Sequence, residues 1–190
     1  MKKLSIIMSA LVLFASCSKE SDDMATPSSS ISANGFEKAA GARPFLATFN
    51  AAVDINSPNP PTACSGDAPF VAPDFLLDGE ADHMGNINGQ TSTLHHDACN
   101  LNLTDMELTT TVSGQIVAAN GHLIYYTGND VVDVTNFVTQ QGTTGSITGT
   151  WTITGGTGRF EGATGSIEIN GIVDFLTNTF TCEAVGTITY

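Results

Sequence analysis

Gly145-Ser146-Ile147-Thr148-Gly149-Thr150-Trp151-Thr152-Ile153 is the stretch that decides how this chain folds. Its odd positions are Gly, Ile, Gly, Trp and Ile, and its even positions are Ser or Thr throughout. Side chains alternate across an extended strand, so the segment offers one face to a core and a hydroxylated face to water. Downstream the pattern repeats. Ile167, Ile169, Gly171, Val173 and Phe175 oppose Glu168, Asn170 and Asp174. Phe180, Cys182, Ala184, Gly186, Ile188 and Tyr190 then alternate with Thr179, Thr181, Glu183, Thr187 and Thr189 after a Leu176-Thr177-Asn178 turn, with Val185 the one apolar residue on the opposing face. Asn170-Gly171 marks an expected bulge or bend in the middle strand.

Upstream, Leu108, Thr110, Val112, Gly114, Ile116 and Ala118 form another alternating face. Ala119-Asn120-Gly121 closes it as a hairpin turn, because Asn and Gly accept positive φ. His122 to Thr127 returns as a strand with Ile124 and Tyr126 on one side. Gly128-Asn129-Asp130 then reads as a turn, with a further strand from Val131 to Phe137. Phe45 to Val53 supplies an early strand, and Phe75 to Ser92 one or two more. The sum is an all-β chain of about eight strands joined by short turns. A closed antiparallel barrel is preferred to a sandwich. Glycines inside strands suit a strongly curved sheet, and closure removes exposed edges.

The N-terminus reads differently. Met1-Lys2-Lys3, the apolar run Leu4 to Phe14 and the small residues Ala15-Ser16 describe a signal peptide ending before Cys17. The apolar run is shorter than the roughly 20 residues that span a bilayer. Phe14-Ala15-Ser16-Cys17 resembles a lipobox, which predicts acylation of Cys17 and a lipid anchor in a bacterial membrane. Residues 1–16 are thus expected to be a lipoprotein signal peptide. Residues 17–34, rich in Ser, Pro and acids, are expected to be a flexible tether. Residues 35–190 remain as a single β-barrel domain. The implied address is the cell envelope, lipid-anchored at the outer membrane, with display on the cell surface left open.

Charge narrows the partners. After removal of the leader, Lys19, Lys38, Arg43 and Arg159 stand against nineteen acids, a net charge of about −15. Such a surface repels phosphate and excludes nucleic acid as a partner. An oxidising compartment allows one disulfide among Cys64, Cys99 and Cys182. All three pairings are open. Cys64–Cys99 is favoured, because both lie in polar, loop-like surroundings while Cys182 falls on an apolar face.

Thr154-Gly155-Gly156-Thr157-Gly158-Arg159-Phe160-Glu161-Gly162-Ala163-Thr164-Gly165 carries a family signal. It resembles the glycine-rich signature of the allene oxide cyclase and dirigent-like β-barrel superfamily, and most of all its bacterial secreted members. Gly79-Glu80-Ala81-Asp82-His83-Met84-Gly85 is similar to an early strand of that family, Ala118 to Gly121 to its central hairpin, and Glu183 to Tyr190 to its closing strand. The resemblance covers most of residues 75 to 190 and implies a barrel, with Phe160 plugging one end and Arg159 free to pair with an acid. A phosphate-cradling loop is excluded here, because no Gly-Lys-Ser/Thr ending and no helix follow.

Chemistry is harder to find. His83 beside Asp82 could serve as an acid or base, against the plainer role of bonding a backbone carbonyl. Glu168, with Asn170 and Glu183, would form a polar pocket only if the polar face lined the lumen. His95-His96-Asp97-x-Cys99 holds metal-donor types, but adjacent histidines of a strand point apart, so no metal site and no cofactor are assigned. Asp74, Asp78, Glu80 and Asp82, like Asp130 and Asp133, read as solvated acids. The functional expectation is a non-enzymatic cell-envelope lipoprotein whose barrel binds an apolar or glycan-like ligand. The alternative is a cyclase- or isomerase-like enzyme acting on a hydrophobic substrate in the lumen. An open apolar cavity of roughly 300 Å³ or more with one buried carboxylate or His would indicate ligand binding or catalysis, whereas a filled lumen would indicate a structural role or a protein–protein module on the cell surface.

Overall fold

Alternation on this scale leaves each strand with one oily face, and wrapping the sheet around that face is the cheapest way to bury it. The computed structural model describes residues 41–190, so the leader, Cys17 and the tether lie outside the described residues. In chain order the elements begin with β1 (Arg43–Val53), β2 (Thr62–Ala63), β3 (Ser65–Gly66), β4 (Val71–Ala72), β5 (Phe75–Ala81) and β6 (Gly85–Ile87). They continue with β7 (Thr93–Asn102), β8 (Glu107–Val117), β9 (Leu123–Asp133) and a helical turn α1 (Thr135–Val138). The last are β10 (Thr144–Gly156), a 3-10 turn (Gly158–Phe160), β11 (Thr164–Asp174) and β12 (Thr179–Thr189).

Eight strands form a ring in the order β7-β8-β9-β10-β11-β12-β1-β5, each antiparallel to its neighbours. It closes where β5 meets β7, through Phe75↔Leu94 and Leu76↔Thr93. The apolar face turns inward along the whole ring. Trp151, Phe45, Ile116, Ile124, Ile167 and Ile188 are fully buried, while the Ser and Thr residues of β10 face out. One end is sealed by Phe160, fully buried in the 3-10 turn and edge-on to Tyr190 at 4.9 Å. Among the described residues Arg159 pairs with no acid; its guanidinium lies over the Phe160 ring at 4.8 Å.

Three local expectations are corrected. Gly128-Asn129-Asp130 is not a turn, and β9 runs unbroken from Leu123 to Asp133, ahead of the helical turn that takes the place of a Val131 to Phe137 strand. Asn170-Gly171 carries no bulge, since β11 keeps register with both neighbours there. The register shifts fall instead between His96 and Ala98 and between Ile153 and Gly155. The glycines of the ring also do more than relieve curvature. A Cβ on Gly128 would lie 2.4 Å from Trp151 Cδ1, and one on Gly149 would lie 2.0 Å from Asp130 Oδ1. These two positions are bare because the neighbouring strand lays a large side chain across each.

Candidate functional site

The lumen is not uniformly apolar. Two hydrophobic clusters fill it, a large one reaching to the sealed end and a smaller one built on Leu101, Leu108, Val132, Val134 and Ile147 at the other. A polar layer lies against them. Asp130 on β9 is 2 % exposed, and Thr110, its cross-strand neighbour on β8, is 5 % exposed. Trp151 Nε1 donates to Asp130 Oδ1 at 2.9 Å, and the indole stacks on Tyr126 at 4.4 Å between centroids. Tyr126 in turn donates its hydroxyl proton to the Thr93 carbonyl. An indole N–H taken out of water needs an acceptor, and Asp130 is that acceptor.

Burial pushes the Asp130 carboxyl from 3.8 up to about 6, with the Trp151 bond pulling the other way. Burial and then the Asp130 charge push the Cys182 thiol up to about 12, so this free cysteine stays an inert thiol. Thr110 Oγ1 is buried and has no hydrogen-bond partner among the described residues. A carboxylate with spare lone pairs beside an unpaired hydroxyl is an arrangement that a ligand's polar group or a water completes.

Asp130 and Thr110 border a cavity of about 60 Å³, well below the size set above for a lumen that takes up a whole ligand, walled by Phe70, Phe75, Leu94, Ile147, Phe175 and Phe180, with His96 beside them. His96 Nδ1 lies 2.8 Å from the Pro73 carbonyl, which can only accept, so Nδ1 carries the proton. Burial depresses the basicity of the ring, with the Pro73 bond opposing, and this keeps it neutral near pH 7. The polar layer is thus a carboxylate, a hydroxyl and a neutral imidazole inside apolar walls.

A strap, residues 54–74, forms one wall. The Cys64–Cys99 disulfide, with Cα atoms 4.5 Å apart, ties it to β7. Ser65 pairs beside Asn100, and Thr62 donates its hydroxyl to the His96 carbonyl. Asp74, read from sequence as solvated, is 7 % exposed and locks the strap's end. It accepts from Ser57 Oγ at 2.6 Å and Asn59 Nδ2 at 3.2 Å, and pairs with His95 Nδ1 at 2.6 Å. Burial alone would raise its carboxyl, but these bonds and the nearby His95 hold it below the usual carboxylate range.

The sequence-predicted site residues fall elsewhere. Glu168 and Glu183 lie on the outer face of the ring, in solvent, because the polar face does not line the lumen. His83 sits in the turn after β5 with φ +65°, its Nε2 3.0 Å from the Pro44 carbonyl oxygen and its ring edge-on to Tyr190. His95 and His96 point to opposite sides of β7, which runs through the stretch read as a polar loop or strand end. Sequence reading missed Asp130, although it shares period-two spacing with Ile124, Tyr126 and Val132. That spacing, carried across Gly128, would have placed it inside.

No family model matches this chain, and no curated protein matches it. Among solved structures it is similar to the pterocarpan synthase dirigent protein GePTS1. Identity is 13% over 79% of this chain and 86% of that chain, with a TM-score of 0.40.

Proposed function

We propose that this protein is a lipid-anchored envelope β-barrel that binds a small, mostly apolar ligand by one polar group, without transforming it. One observation carries the reading. Asp130 and the unpartnered Thr110 hydroxyl border an otherwise apolar cavity. A packed core would gain by replacing both with apolar residues, since an unpaired buried polar group costs about 1–3 kcal/mol. The lipobox at Cys17 and the tether supply the envelope address. The apolar walls favour an apolar ligand over a glycan.

The chain has a single tryptophan, and its indole is bonded to Asp130, so occupancy beside Asp130 alters its emission. Titration with 1-butanol at pH 8, where Asp130 is ionised, is expected to give a saturable change. Asp130→Asn weakens it about tenfold, the difference between a charge-assisted and a neutral bond. A strictly linear response, identical in both proteins, contradicts ligand binding. Separately, Cys17→Ser is expected to release the protein from membranes; unchanged retention contradicts the anchor. A second reading is favoured by the Asp130 carboxyl at about 6. A carboxyl poised there can transfer protons near neutral pH, as a cyclase- or isomerase-like enzyme would require. Conversion of a bound apolar substrate, lost in Asp130→Asn with binding retained, would select that reading.

A further inference from the structure

The cavity is too small for a whole ligand of ordinary size. A dry protein cavity of about 150 Å³ holds benzene, roughly 25 Å³ per carbon, so about 60 Å³ accommodates two or three heavy atoms. Whatever enters therefore puts only an end inside and leaves the rest at the mouth.

The mouth is apolar. Val71 and Leu176 are 56 % and 74 % exposed. Their chain neighbours Phe70, Ala72 and Phe175 line the cavity itself. Ile55, 88 % exposed, follows Asp54, whose amide donates to the Asp74 carbonyl beside the Pro73 wall. Phe137 of α1, 44 % exposed, packs on Phe175 at 4.8 Å. Scattered exposed apolar residues are ordinary. These come from three connections at the unsealed end, the strap, the β9–β10 connection and the β11–β12 turn. Val71 alternates with Phe70 and Ala72 along β4 and faces away from the cavity, so the rim beside it is Leu176 and Phe137.

The head that fits is decided by its neighbours. Asp130 needs a donor, and Thr110 Oγ1 needs a partner of either kind. A hydroxyl donates and accepts at once, and unlike an ammonium it serves both groups without a second ion being stripped of its hydration. An anionic head meets Asp130 and finds no Arg or Lys at this end among the described residues, since Arg43 starts β1 and Arg159 lies in the 3-10 turn, both at the sealed end.

We propose that the occupant is an amphiphile with a hydroxyl head and an unbranched aliphatic chain, the head seated between Asp130 and Thr110 and the chain laid over Leu176 and Phe137, an inference that rests on the ligand-binding reading above. A fully buried methylene is worth about fourfold in affinity, and a half-buried one on this rim about twofold.

The test is Trp151 emission of the Cys17→Ser chain titrated with primary alcohols from 1-butanol to 1-decanol, and with decanoate and decylamine. The dissociation constant is expected to fall about twofold per added methylene. Leu176→Ser with Phe137→Ser is expected to flatten that dependence, weakening 1-decanol far more than 1-butanol, whose two or three rim carbons lose at most about eightfold. Decanoate is expected to bind at least tenfold more weakly than 1-decanol. If 1-butanol saturates and lengthening the chain changes nothing, the rim assignment fails and the cavity reading stands. If no alcohol binds, both fail. Decanoate or decylamine binding as tightly as 1-decanol overturns the hydroxyl head.

Discussion

Replacing Asp130 with Asn is expected to stabilise this protein above pH 6 and to leave it unchanged near pH 4. In the folded state burial raises the Asp130 carboxyl from 3.8 to about 6. The folded protein therefore binds more protons at this site than the unfolded chain between those two values. Stability from Asp130 is greatest below pH 4, falls as the pH rises toward 6, and stays low beyond. A rise of about two, at about 1.4 kcal/mol each, makes the loss ~3 kcal/mol. Asparagine keeps the carbonyl oxygen that accepts from Trp151 Nε1, and its amide can donate to the unpartnered Thr110 hydroxyl. It removes the charge without emptying the site. Urea unfolding followed by Trp151 emission at pH 4, 5, 6, 7 and 8 reads the effect. The variant gains nothing at pH 4 and up to ~3 kcal/mol at pH 8, about 6–12 °C in Tm for a domain of this size. His96 works in the opposite direction, since burial depresses its folded value and stability through it rises with pH. That contribution is common to both proteins and cancels in their difference. Parallel stability curves, or a variant less stable than the parent at pH 8, would refute the reasoning.

Reducing Cys64–Cys99, or replacing both with Ser, releases a loop with a sequence separation of 35 and is expected to cost about 4 kcal/mol on the chain-entropy scale; denaturation with and without reductant measures it, and an unchanged midpoint contradicts the strap assignment. Gly128→Ala drives a methyl against Trp151 Cδ1 and the Thr150 carbonyl oxygen, which lies 2.6 Å from the built Cβ. A loss of about 1–3 kcal/mol is expected, with altered Trp151 emission; a neutral effect contradicts the seating of the indole on that glycine. Asp74→Ala removes an acceptor serving Ser57, Asn59 and His95 and is expected to cost about 2–3 kcal/mol. Proteolytic cleavage is expected to appear within residues 54–74, and cleavage confined to other loops contradicts the lock. Because the Asp74 carboxyl is held low, its contribution is present at neutral pH and lost as the pH falls through its folded value.

Much of this was legible because alternation is a local signal. Ile147, Trp151 and Ile153, then Ile167 and Ile169, then Phe180, Ala184 and Ile188 all go inside as their spacing requires. The site was less legible because its residues break local rules. Gly128-Asn129-Asp130 has the composition of a turn, but tertiary packing holds it extended, since Trp151 lies over the glycine. Asp74 looks like one of four clustered acids with Asp78, Glu80 and Asp82, yet only the folded strap brings Ser57 and Asn59 to it. His83 drew attention because Asp82 stands beside it, and Glu168 because Asn170 and Glu183 share its polar face. Which face each takes depends on a turn at His83 and on inward closure at Glu168, and neither shows in the residue itself. The disulfide pairing depends on the strap crossing β7 beside Asn100, a contact that spacing alone does not specify.

The central claim is that a carboxyl sits inside the ring, out of water, with Trp151 as its hydrogen-bond donor. The most direct measurement is a ¹³C NMR titration of the Asp130 side-chain carboxyl, assigned by its loss in Asp130→Asn. A midpoint near 6 is the predicted result, with the Trp151 indole proton resonance moving at the same midpoint. A midpoint at or below 3.8, the ordinary value for an aspartate, with an unresponsive indole proton would contradict the account.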